Sequence, residues 1–127
     1  MKRVVLFLAC VLLGATAQAE NRHGSFSDEQ ICIAGIATNN GRSAKGIRVP
    51  AKQGDIITVA YTRDDGRIFG YSCRITADEI WWRDQSMSQW NKNTKLYYSL
   101  SNEGARLKIR SVVFGEEMTK SYTLADF

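Results

Sequence analysis

The feature that most limits what this chain can become is the placement of two cysteines, one in a continuously apolar run and one in an alternating run. Cys32 lies within Ile31-Cys32-Ile33-Ala34-Gly35-Ile36-Ala37, and Cys73 within Phe69-Gly70-Tyr71-Ser72-Cys73-Arg74-Ile75. The first run reads as a helix without a polar side. The second puts Phe69, Tyr71, Cys73 and Ile75 on one face at a period of two. A bridge between the two would fasten a helix to a strand and so decide which side of the sheet is the inside. Closing a loop of about forty residues in this way stabilises a fold by roughly 4 kcal/mol on chain-entropy grounds, within a range of about 2–5. Two free buried thiols, or a bridge between molecules, are the competing arrangements.

Whether such a pair oxidises depends on the compartment, and the first nineteen residues bear on that. Met1-Lys2-Arg3 is basic, the stretch from Val4 to Ala15 is apolar, and Thr16-Ala17-Gln18-Ala19 ends in an Ala-x-Ala cleavage pattern. These are the three parts of a secretory signal peptide, residues 1–19. The apolar run falls short of the ~20 residues a permanent membrane helix needs. An uncleaved anchor is the first alternative. Lipidation at Cys10 is the second, and Phe7-Leu8-Ala9 before it fit a lipoprotein signal poorly. Cleavage leaves residues 20–127 as a single disulfide-stapled domain of 108 residues, and it leaves Cys32 and Cys73 as an even pair. The expected location is the periplasm or the exterior, with no membrane span after cleavage and a monomeric state. Lys2 and Arg3 leave with the signal, so 15 basic face 13 acidic residues, a net charge of +2 rather than +4. That balance points away from nucleic acid as a partner.

Residues 20–25 are polar and read as a frayed terminus. A helix start follows: Ser27 as N-cap with Gln30 three residues on forms a capping box, Phe26 and Ile31 have staple spacing, and Asp28-Glu29 put negative charge in the first turn. The helix should begin at Asp28 and end before Asn39-Asn40-Gly41. A basic connector from Gly41 to Gly54 carries the chain's single proline, Pro50. Beyond it the period becomes two, and six strands are expected at 55–62, 67–75, 79–83, 94–101, 105–114 and 118–124, joined by turn signals such as Asp64-Asp65-Gly66. The fold class is therefore α+β: one N-terminal helix packed on a six-stranded antiparallel meander sheet or small curled barrel.

No catalytic or cofactor pattern emerges, so no cofactor or metal is expected and the chain reads as a non-enzyme. His23, the only histidine, falls in the terminus that looks frayed; a cysteine nucleophile is excluded if Cys32 and Cys73 are paired; no glycine-rich phosphate loop or metal-ligand spacing occurs. The acidic pairs Asp28-Glu29, Asp64-Asp65, Asp78-Glu79 and Glu116-Glu117 sit at helix starts or turns, where solvated charge is ordinary.

Two patterns stand out as candidate binding features. In the segment Trp81-Trp82-Arg83 and the loop reaching Trp90, neighbouring strand residues must face opposite ways. Ile80 and Trp82 then share one face and Trp81 takes the other. Trp81, Arg83 and Trp90, bordered by amide side chains, suit sugar stacking or a protein hot spot. The plainer alternative has Trp90 folded back as a plug on the sheet end and Trp81 packed under the connector. The second pattern is Arg106, Lys108 and Arg110 alternating with Leu107 and Ile109, a row of cations on one strand face that Lys95 and Lys120 would extend in a suitable register. It offers a site for an anionic partner, or simply a solvated face that discourages edge-to-edge association.

The Tyr71-Ser72-Cys73 strand, together with the chain's size, is similar to periplasmic lysozyme inhibitors. That resemblance covers one short strand, implies a β-barrel whose loop residues plug an enzyme cleft, and departs from the pattern at the long helix start. The expected function is thus a non-catalytic exported binding module for a protein or a cell-envelope glycan, with inhibition of a secreted hydrolase as one version. A small hydrolase using an unrecognised carboxylate pair, and a structural envelope protein drawn in by its basic face, are the alternatives.

Overall fold

A computed structural model describes residues 22–127; the expected signal peptide, residues 1–19, lies outside the described residues. The chain opens with a two-residue strand pair, β1 (Arg22–His23) against β2 (Phe26–Ser27), and enters helix α1 (Asp28–Asn40) directly. The capping box is formed as expected: Gln30 N–H donates to Ser27 Oγ at 3.2 Å and Ser27 N–H to Gln30 Oε1 at 3.0 Å. The helix runs through Asn39 and Asn40 and stops on Gly41 in the left-handed region (φ 63°). Asn40, the last helical residue, also donates from its amide Nδ2 to the Ile36 carbonyl at 2.9 Å.

Seven strands then form one open antiparallel sheet in strict sequence order: β3 (Arg48–Gln53), β4 (Ile56–Thr62), β5 (Ile68–Ile75), β6 (Glu79–Asp84), β7 (Thr94–Ser101), β8 (Arg106–Val113) and β9 (Glu116–Tyr122). The α+β class and the meander hold; of the two forms expected the sheet takes the open one, and it has seven strands rather than six. The added strand, β3, comes from the basic connector. It pairs on one side only, and its register slips between Arg48 and Ala51, around Pro50. A sheet margin and a bulge are the two places where a residue without an N–H is tolerated, and β3 combines them.

One face of the sheet receives α1. Ile57, Val59, Cys73, Leu96, Leu107 and Ile109 are fully enclosed there, and Ile31, Cys32, Ile36 and Ala37 come down from the helix. Gly35 allows close approach: a Cβ on it would lie 2.8 Å from Ile80 Cδ1. Phe26, just ahead of α1, and Phe127 pack on each other, and Phe127 also on Tyr122, joining the same core. Residues 31–38 of α1 are all buried, which fits a helix without a polar stripe. Cys32 and Cys73 form a disulfide across the helix–sheet interface, with Cα atoms 5.9 Å apart, which fixes the inward face as the alternation predicts.

Residues 22–25 are not frayed. The backbones of Gly24 and Gly104 meet so closely that a Cβ on Gly24 would lie 2.7 Å from Gly104 Cα, and Ser25 N–H donates to Gly104 O at 3.0 Å. His23 is pinned as well. Its Nε2 is 2.7 Å from Asp28 Oδ1, and its ring meets Tyr98 edge-on at 5.6 Å. Polarity alone suggested a loose end; the Gly24–Gly104 contacts and the His23–Asp28 hydrogen bond hold it down.

Candidate functional site

The sheet face turned away from α1 carries the candidate residues. Hairpin β5–β6 pairs Cys73 with Trp82 and Arg74 with Trp81. The alternation then places Trp82 inward, 8% exposed, and Trp81 outward, 39% exposed. The inward ring is also tied down: Trp82 Nε1 donates to Thr94 O at 3.0 Å.

The loop from residue 85 to 93 folds back over the outward face. Gln85 N–H donates to Gly70 O at 2.9 Å, and the bare Cα of Gly70 leaves room for the Gln85 amide, which a Cβ would meet at 2.2 Å. Each end of the loop is self-capped. Asp84 Oδ1 accepts from Ser86 N at 2.9 Å and from Ser86 Oγ at 2.7 Å. Asn91 Oδ1 accepts from Asn93 N at 3.0 Å and from Thr94 N at 2.9 Å, and Asn91 N–H donates to Trp82 O at 2.7 Å. The Ser86 hydroxyl and then the Ser86 N–H hold the Asp84 carboxyl below its ordinary range, since both stabilise the charged form.

This loop delivers Trp90 onto Trp81, ring centres 6.3 Å apart at 60°. Arg83 lies over the Trp90 ring at 4.6 Å and donates from Nη1 to Ser88 O at 3.0 Å. Arg74 stands 5.9 Å from the Trp81 ring and 5.8 Å from the Trp90 ring, and is held by Asp55, Nε to Oδ2 3.1 Å. Two hollows flank the Gln89–Lys92 ridge. One, of about 520 Å³, lies on the outward face between Trp81, Trp90, Lys92, Lys95 and Glu79. The other, of about 510 Å³, opens beside Asn40, Tyr71, Trp82 and Asp84. Burial, then neighbouring Tyr61, pushes the Tyr71 phenol well above its usual value, while Arg83, Asp84 and Lys92 supply the charged part of the same wall.

Trp81, Arg83 and Trp90, expected as one binding feature, are brought into one contact group. Trp90 folds back, as the plainer alternative has it, but onto Trp81 and Arg83, and Trp81 keeps an open side. Arg106, Lys108 and Arg110 also face outward, on β8, farther along the same sheet. Arg110 is neutralised by Glu117 at 2.6 Å and stacks on Tyr97 at 4.4 Å. Lys95 is on this face too, 3.7 Å from Glu79. Lys120 is not: it pairs with Ile109, an inward residue, and rests 5.3 Å from the Tyr122 ring. Arg74 was missed by the reading of the sequence. The hairpin register carries its signal, because a turn at Thr76-Ala77-Asp78 sets Ile75 opposite Ile80 and therefore Arg74 opposite Trp81.

Among the described residues no three His, Cys, Asp or Glu side chains gather in a metal-binding arrangement, and no helix is long and apolar enough to cross a membrane. Comparison with family models, curated proteins and solved structures finds no match.

Proposed function

We propose that this chain is a non-catalytic exported binding module that takes a cell-envelope glycan or protein in the groove between Trp81 and Trp90. One observation carries the reading: two indoles meet on the sheet face away from the core, and Trp81 is left 39% exposed. Large aromatics kept out of a core and bordered by Gln89, Asn91 and lysines have the apolar body and polar surround that ligand contacts use. The bracing of the loop by Arg83, Asp84 and Asn91 supports the same reading, since a site already held in shape loses little freedom on binding. The Cys32–Cys73 disulfide supports an oxidising destination. A ridge flanked by two hollows also suits the inhibitor version, in which Gln89 to Lys92 enters the cleft of a secreted hydrolase.

The test is capture from fractionated envelope extracts by immobilised protein, with Trp90→Ala and Arg83→Ala as variants. Capture should drop roughly tenfold or more for Trp90→Ala. Unchanged capture by folded variants would reject the groove as the site.

A further inference from the structure

The aromatic groove and the cation-bearing strand occupy one continuous strip. Along the outward face the rows run from Arg83, through Trp81 and Lys95, to Tyr97 beside Arg110, then Lys108, then Arg106. Glu79 pairs with Tyr97, Tyr97 with Arg110 and Ser99 with Lys108, which fixes the order of the last rows. Eight residue steps separate the first row from the last, a contour of about 27 Å at ~3.4 Å per residue.

The strip is cationic beyond its internal neutralisation. Asp55, Glu79 and Glu117 are taken by Arg74, Lys95 and Arg110. Arg83, Lys92, Arg106 and Lys108 have no carboxylate partner among the described residues, and they lie toward both ends of the strip. Between them stand neutral hydroxyl groups: Ser99 and Ser121 flank Lys108 in the pairing, and Tyr97 and Thr119 flank Arg110.

We infer that this face binds an acidic polysaccharide, a linear chain of sugar rings bearing carboxylates, laid from the Trp81–Trp90 groove along β8 to Arg106. The inference rests on the groove reading above and names its ligand class. Each part of the strip has its counterpart in such a polymer. The apolar face of a sugar ring stacks on an indole, hydroxyl edges meet the Asn91 and Gln89 amides and the row of hydroxyls, and the spaced carboxylates meet unpaired Arg and Lys. A polyanion without rings would leave the tryptophans idle, and a neutral glycan would leave the cations idle.

Alginate oligomers, titrated into the full protein at low salt and followed by calorimetry and tryptophan emission, supply the probe. Dextran, poly-L-glutamate and phosphatidylglycerol vesicles are the comparison ligands. Alginate should bind at least roughly tenfold more tightly than any of the three, and its affinity should fall as salt rises. Trp90→Ala should weaken it about tenfold or more, and Arg106→Ala with Lys108→Ala about fivefold to tenfold. Lys120→Ala, on the opposite face, should leave it unchanged. Equal binding of poly-L-glutamate or of the vesicles overturns the polysaccharide assignment, as does alginate binding indifferent to the Arg106 and Lys108 changes. If alginate does not bind while Trp90→Ala still abolishes envelope capture, the ligand class falls and the groove stands. If neither measurement responds to Trp90→Ala, both fall.

Discussion

Arg83 and Trp90 form one interlocked unit: the guanidinium lies 4.6 Å above the indole while its Nη1 is bonded to the Ser88 carbonyl oxygen two residues earlier in the same loop. The stack therefore sets the angle at which the loop presents Trp90. Replacing Arg83 with Ala should loosen the loop and shift Trp90 emission to longer wavelength, while stability falls by less than ~1 kcal/mol. Arg83→Lys keeps the charge but loses the planar stack, so its spectrum should be intermediate. An emission spectrum identical to that of the parent would show that the stack does not position Trp90.

Removing the disulfide as Cys32→Ala with Cys73→Ala should lower unfolding free energy by about 2–5 kcal/mol, read from the urea midpoint. Both sulfurs are fully enclosed, so a single replacement would also leave one thiol stranded in the core. A midpoint unmoved by the double change would mean that helix packing alone holds α1 on the sheet.

The β8–β9 turn offers a gain. Phe114 sits at φ 50° ahead of Gly115 at φ 81°, with 89% of its surface exposed. Such two-residue turns favour Asn-Gly, and a bulky residue in the left-handed region is strained. Phe114→Asn should raise stability by roughly 0.5–1 kcal/mol in thermal unfolding, because almost no packing is lost. A lower melting temperature would contradict this account of the turn.

Gly104 is the opposite case. Its φ is 86°, and an added Cβ would lie 2.7 Å from Gly24 Cα. Gly104→Ala should cost about 1–3 kcal/mol or more. The loss should appear first as faster hydrogen exchange at Ser25, whose N–H is bonded to the Gly104 carbonyl. Unaltered protection there would show that the N-terminal hairpin does not depend on this contact.

At alkaline pH the direction is fixed by Tyr71, Tyr98 and Tyr122, whose phenols burial raises above their ordinary value. Between the unfolded value near ~10 and the raised folded values, the folded state binds more protons than the unfolded one. Stability from these groups is thus complete below about pH 10 and declines as pH climbs past it. Urea midpoints measured from pH 8 to 11 should fall at the upper end. Tyr122→Phe, which gives up the 2.8 Å contact with Thr38 Oγ1, should flatten that fall and cost about 1 kcal/mol at neutral pH.

What could be seen in the sequence followed from local rules. The capping box, the period-two faces and the opposed directions of Trp81 and Trp82 depend only on near neighbours, and all three appear in the fold. What escaped depends on contacts between distant segments. β3 looked like a connector because Pro50 and two basic residues, Arg48 and Lys52, suppress the strand signal, although a margin strand tolerates both. His23 looked loose because nothing nearby reveals that Asp28 and Tyr98 will close on it. Whether Lys120 extends the cation row depends on the β8–β9 register, and its pairing with Ile109, one register step from the alternative, turns it away. The Trp81–Arg83–Trp90 group was foreseen as residues but not as a contact, since the return of the loop rests on Gly70 and Arg74 in a different strand.

Among the described residues helix α1 is the first long element to be synthesised, yet its seat includes Leu107 and Ile109 on the penultimate strand. About 70 residues must follow Asn40 before that seat is complete. At ~5–20 residues per second a newly made chain therefore carries this isoleucine-rich segment unsheltered for several seconds. During that interval its apolar surface is open to misassociation, and slowing synthesis beyond Asn40 would lengthen it.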